Sequence, residues 1–105
     1  MNKFAAIELK LKKSVVKGET CNLITLFSAD ERFKRMDVLT NADEGDTIKV
    51  VLESLGEIEL PLGDDMEKGQ KKTLMTLFWF SEKSKPIEMQ RTAEKGESIT
   101  VTMWK

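Results

Sequence analysis

No histidine and no tyrosine occur among the 105 residues of the chain, and Cys21 is the only cysteine. Without imidazole there is no histidine general base, no Ser-His-Asp arrangement and no histidine metal ligand. One thiol excludes an internal disulfide, a CxxC redox pair and a cysteine zinc site. Cys21 lies in the apolar run Cys21-Asn22-Leu23-Ile24-Thr25-Leu26-Phe27, where it reads as a small buried hydrophobe. A lone free thiol suits a reducing cytoplasm, the expected compartment. Charge of one sign is also missing. The net charge is -1, so neither a strongly basic nucleic-acid or membrane binder nor an acidic nucleic-acid mimic is expected on charge alone. No apolar run approaches the roughly 18–20 residues that span a bilayer, and no membrane association is expected. At the N-terminus, Met1-Asn2-Lys3-Phe4-Ala5-Ala6-Ile7-Glu8 reaches a charge too early for a signal peptide. A chain this short is expected to form one domain, residues 1–105, with little core to spare for a deep active-site cavity.

What is present is an internal repeat. Sliding the chain by 51 positions aligns Ile7-Glu8-Leu9 with Ile58-Glu59-Leu60, Lys17-Gly18 with Lys68-Gly69, and Thr25-Leu26-Phe27 with Thr76-Leu77-Phe78. In all, 16 of 50 ungapped pairs are identical, where ordinary residue frequencies give about three. The reading is two copies of one unit, residues 5–54 and 56–105, packed about a pseudo-twofold axis. Within each copy the first segment alternates (Ile7, Leu9, Leu11; Ile58, Leu60, Leu62), as a half-buried strand does. The second segment, Leu23–Phe27 and Leu74–Phe80, is apolar throughout and is expected to be a central strand. Ser28-Ala29-Asp30-Glu31 forms a capping-box pattern, which predicts a short helix in the first copy; Pro86 argues for its shortening or loss in the second. A short strand follows through Met36 and Val38, and through Ile87 and Met89. The fourth segment opens with glycine and an acid, then alternates: Ile48, Val50 and Leu52, and Ile99, Val101 and Met103, are expected to face the core. The fold class is therefore mainly β, with two pseudo-symmetric four-strand units of roughly 50 residues forming a small barrel or sandwich.

The segment order, with Gly45-Asp46 and Gly96-Glu97 ahead of the last strand of each copy, resembles the cradle-loop barrels, including double-psi barrels. The resemblance covers most of the chain and implies a fold only, since such barrels host many functions.

Residues where the copies differ are the candidates for function. Ser28 and Ala29 become Trp79 and Phe80, and Glu53 becomes Trp104. Alternation puts Trp104 with Thr100 and Thr102, away from the core face. Each aromatic side chain could simply extend a core, or form a patch of the kind enriched in protein interfaces. A homodimer seam is the commonest use of such a patch. Lysines cluster at Lys10, Lys12, Lys13 and Lys17, at Lys71 and Lys72, and at Lys83 and Lys85. They read either as solvated faces or as a groove beside aromatic platforms. Against a groove, residues 1–54 hold 9 basic and 9 acidic side chains, and residues 55–105 hold 8 and 9. Asp43-Glu44-Gly45-Asp46 and Asp64-Asp65 lack calcium-loop spacing, and no phosphate loop, dinucleotide fingerprint or nucleophile elbow occurs. No metal, cofactor or catalytic set is expected.

These observations favour a non-catalytic module that binds a protein through Trp79, Phe80, Trp104, Lys83 and Lys85. In size and lysine/glutamate-rich style the chain resembles small accessory proteins of bacteriophages and mobile elements. That resemblance implies, as with anti-CRISPR proteins, an inhibitor of a nuclease complex in the cytoplasm of a bacterial host cell. The alternative is a single-stranded nucleic-acid-binding β-barrel.

Overall fold

Strand-forming alternation and paired turns build a mainly β molecule. The computed structural model describes residues 1–78 and 85–105. The strands are β1 (Lys3–Lys10), β2 (Thr20–Cys21), β3 (Arg35–Asp37), β4 (Thr47–Leu52), β5 (Gly56–Pro61), β6 (Lys71–Thr73), β7 (Ile87–Glu88) and β8 (Ser98–Trp104). Single helical turns form α1 (Leu23–Leu26), α2 (Ala29–Arg32) and α3 (Leu74–Leu77). One antiparallel four-stranded sheet has the order β1-β8-β4-β5, and two small ladders pair β2 with β7 and β3 with β6. These sheets do not close into a barrel: β1 and β5 stand at opposite ends of the four-stranded sheet, and each small ladder is a sheet of its own.

The inner face of the large sheet is its apolar side. Leu9, Ile48, Val50, Leu52, Ile99, Val101 and Met103 are fully buried there, and they share one core with Leu23, Leu26 and Phe27 around α1, Leu74, Leu77 and Phe78 around α3, and Met36 and Ile87 from the ladders. Burial of each such side chain contributes about 1.5–3 kcal/mol. The outer face carries the alternate residues of the same strands, exposed or half-buried in the patterns of β4 and β8.

Hydrogen bonds recur at the 51-residue spacing. Val15 and Ala93 exchange backbone bonds, and so do Met66 and Ala42. The Gly18 amide donates to the Met89 carbonyl, and the Gly69 amide to the Val38 carbonyl. Cys21 pairs with Ile87 on β7, while Met36 pairs with Lys72 on β6. Every small-ladder pairing therefore crosses from residues before position 55 to residues after it. At the centre of the large sheet Val51 stands opposite Thr102, which is its own counterpart at this spacing.

The second segments are not strands. Leu23–Leu26 and Leu74–Leu77 are helical because Asn22 and Thr73 cap them: each side chain accepts from the backbone three residues on, and Thr25 and Thr76 return a bond to the cap. Leu23 and Leu26, three apart, point inward together, as do Leu74 and Leu77. The second run was expected to reach Phe80, which lies outside the described residues. Helix α2 begins at Ser28 as expected, with the Ser28 hydroxyl accepting from the Glu31 amide. Glu31 does not complete a capping box. Its carboxylate instead accepts from the Lys10 amide at 2.8 Å and sits 3.1 Å from the Lys34 ammonium, tying α2 to the end of β1. The positions where the second copy was expected to shorten this helix fall largely among residues 79–84, outside the described residues.

The glycine-acid turns have a definite geometry. Gly45 and Gly96 both take φ 89, a left-handed value that side chains resist. Asp46 donates its amide to the Asp43 carbonyl, and its carboxylate accepts from the Asp43 amide at 2.9 Å. Glu97 makes the same amide bond to Glu94, its carboxylate likewise accepts from the Glu94 amide, and it also pairs with Arg91 at 2.6 Å.

Backbone amides and cations hold several carboxyls below their ordinary range: Glu31 through Lys10 and then Lys34, Asp46 through Asp43 and then Lys105, Glu97 through Arg91, Glu19 through Val16 and then Lys13. A carboxyl lowered in the fold stabilises it at neutral pH. The contribution fades as pH falls from the ordinary carboxylate range through the lowered value, because the unfolded chain takes up protons first. Urea midpoints are thus expected to drop between pH 6 and pH 3. Glu31→Gln keeps an acceptor for Lys10 and is expected to shallow that drop; an identical pH profile would show that Glu31 contributes nothing to it.

Candidate functional site

The outer face of the four-stranded sheet can be read off in rows across the strands. One row runs Lys3, Trp104, Lys49, Glu59; the next runs Ala6, Thr102, Val51, Glu57; the next begins Glu8, Thr100. Glu53 completes the third row, since its amide donates to the Thr100 carbonyl at 3.0 Å and its carboxylate accepts from the Thr100 amide at 3.0 Å. Trp104, Thr102, Val51 and Lys49 are half-buried on this face, and Ala6, Glu8, Thr100, Glu53, Glu57 and Glu59 are exposed. Along β1, β8 and β4 its centre is thus small, with the cations Lys3 and Lys49 toward one end of the strands and the carboxylates Glu8 and Glu53 toward the other, while Glu57 and Glu59 on β5 flank the central and cationic rows.

Trp104 anchors the cationic end. The Lys3 ammonium lies 5.9 Å from the ring centroid, within cation–π range. Lys49 reaches the Glu57 carboxylate at 3.5 Å. The next residue, Lys105, turns toward the Asp43–Asp46 loop, 3.4 Å from Asp46 and 2.9 Å from the Asn41 carbonyl. Asn2 and Lys105 exchange backbone bonds at 2.9 and 2.8 Å, which fixes the backbone of both strands just beyond the Lys3–Trp104 pair.

The five residues named from sequence do not all come to this face. Trp104 is on it. Lys85 is exposed just ahead of β7, whose ladder is a separate sheet from that of Trp104. Trp79, Phe80 and Lys83 lie outside the described residues. Sequence reasoning missed Lys3 as the tryptophan's cross-strand neighbour, and Ala6, Glu8 and Glu57 as members of the same face. Their signal is the outward alternation of β1 and β5, which says nothing by itself about which strands they adjoin.

Charge is mixed elsewhere on the surface too. Of the lysine clusters, Lys13 pairs with Glu19 at 3.4 Å and Lys71 with Asp37 at 2.7 Å. Cys21 is buried beside Glu19, and burial pushes its thiol above the ordinary value. An open groove of about 520 Å³ runs along the β4–β5 turn, lined by Val51, Leu52, Ser54, Gly56, Glu57, Glu88 and Gln90. A cavity of about 10 Å³, room for one water, lies between Leu23, Arg32, Leu60, Leu74, Met75 and Phe78. Among the described residues no group of three or more acidic or cysteine side chains could hold a metal ion, and no helix is long and apolar enough to cross a membrane.

No protein-family model, curated protein or solved structure matches the chain.

Proposed function

We propose that this chain is a non-catalytic binding protein that engages a protein partner through the outer face of its four-stranded sheet, with Trp104 as the anchor. The observation that carries the reading is the placement of Trp104: a large aromatic ring on the face opposite the core, beside Val51 and Thr102 and ringed by both signs of charge. Aromatic anchors inside a polar rim are the usual energetic centre of protein interfaces. Glu8, Glu53, Glu57 and Glu59 on the same face disfavour the second reading, a single-stranded nucleic-acid binder, although Lys3 over Trp104 is the pairing such a binder would use. The narrower form of the proposal is a bacteriophage-type inhibitor of a CRISPR nuclease acting in the bacterial cytoplasm. It rests on size and composition.

The scaffold reading is that residues 5–54 and 56–105 are two copies of one unit, related by a pseudo-twofold axis between Val51 and Thr102. The matched hydrogen bonds and glycine turns support it, as does the matched core: Leu9 with Leu60, Phe27 with Phe78, and Ile48 with Ile99 are all buried.

Binding to purified CRISPR nuclease complexes tests the function. Trp104→Ala is expected to weaken capture about 30-fold or more while leaving the melting temperature near wild type, as for a hot-spot residue outside the core. Unchanged affinity in the folded variant overturns the Trp104 reading. Steeply salt-dependent retention on single-stranded oligonucleotide would favour the second reading instead.

A further inference from the structure

We propose that the outer sheet face is self-complementary and that its occupant is a second copy of this chain. The inference rests on the reading of that face as a protein-binding surface and names its partner. A symmetric dimer needs each patch to meet its own image, so a residue and its opposite number must both be on the patch. Place a twofold axis in the plane of the interface, along the row Ala6, Thr102, Val51, Glu57. The row Lys3, Trp104, Lys49 then lies over the partner's row Glu8, Thr100, Glu53, and the reverse holds across the axis. Lys3 meets the partner's Glu8, Lys49 meets the partner's Glu53, and Trp104 covers the partner's Thr100. Ala6, Thr102 and Val51 meet their own images at the centre.

The charges decide for a second copy. Each cation on the face would gain a carboxylate across the seam, and the one like-charge meeting, Glu57 on the partner's Glu57, is softened by Lys49, which lies 3.5 Å from Glu57 in its own chain. Among the described residues neither Lys3 nor Glu8 forms an ion pair; both are exposed, and Lys3 lies over the Trp104 ring at the edge that would meet the seam. The strands of the two sheets would run antiparallel and near-aligned, the ordinary geometry of face-to-face sheets about 10 Å apart. Four strands about 4.8 Å apart and rows about 7 Å apart give roughly 400–500 Å² of flat face per copy. That is below the ~800 Å² per partner of a standard interface, so the dimer is expected to be reversible and micromolar.

Sedimentation equilibrium across protein concentration is the test, with charge variants. Wild type is expected to pass from monomer to dimer as concentration rises, and to shift toward monomer in high salt. Lys3→Glu and Glu8→Lys are each expected to weaken self-association tenfold or more. Mixing the two variants should restore a dimer, now a heterodimer, because positions 3 and 8 again meet across the seam with opposite sign. This rescue also shows that neither variant has merely unfolded. A wild type that stays monomeric up to about 0.5 mM, far above a micromolar constant, overturns the inference. So does a dimer indifferent to both charge changes. The function reading survives either result if Trp104→Ala still weakens nuclease capture, and fails separately if affinity is unchanged.

Discussion

Truncation of Phe27 to alanine is expected to destabilise the fold by about 3–5 kcal/mol, the usual range for a fully buried aromatic ring. Phe27 is wholly shielded from solvent. It ends α1, its amide donates to the Leu23 carbonyl at 3.1 Å, and it bridges to Leu11 at the end of the first strand segment. Removing the ring leaves the junction of β1, α1 and the core without its filler, and the close-packed surroundings can relax only partly. Against a total stability of about 5–15 kcal/mol for a domain, that loss is a large share. Urea denaturation followed by tryptophan fluorescence measures it. A loss under about 1 kcal/mol would contradict the packing described for Phe27.

Adding one methyl group at Gly56 is expected to destabilise nearly as much as removing several elsewhere. A Cβ there would stand 2.7 Å from the Ile87 Cγ2 atom and 3.0 Å from the Glu88 carbonyl oxygen. The second contact is backbone, which cannot swing aside as a flexible side chain would. Gly56 starts β5 opposite Leu52, and β7 packs directly over it. Gly56→Ala should cost about 1–3 kcal/mol through overpacking, pushing β7 off the large sheet. For a chain of this size each kcal/mol lowers the melting temperature by about 4–8 °C, so a calorimetric shift is easily read. A melting temperature equal to wild type would show that β7 does not press on this position.

How much of this was legible in the sequence depends on the length of each signal. β4 and β8 are long enough for alternation to set one face of Ile48, Val50 and Leu52, or of Ile99, Val101 and Met103, against the other, and all six are buried. α1 and α3 are four residues each, too short for a 3.6-residue period to stand apart from an apolar strand. The deciding signal was polar: an acceptor side chain at Asn22 or Thr73 and a threonine three residues on. The closed barrel failed for another reason. Pattern shows that a segment is a strand but not which strand it joins, and Cys21 finds Ile87 from 66 positions away. The site divides in the same way. Parity alone put Trp104 on the outer face; Lys3 became its neighbour, and Glu8 a member of the same face two rows away, only through the β1–β8 register, which a bulge between Lys3 and Ala5 shifts.

The crossed pairing of the small ladders bears on how the protein is made. On the ribosome, Cys21 leaves the exit tunnel 66 residues before its mate Ile87. The nascent first half, with β8 also still to come, has neither its ladder partner nor the central neighbour of β1 and β4. The first half therefore completes its ladders and sheet only once residues through β8 have emerged, and pairings this distant in sequence make folding slow.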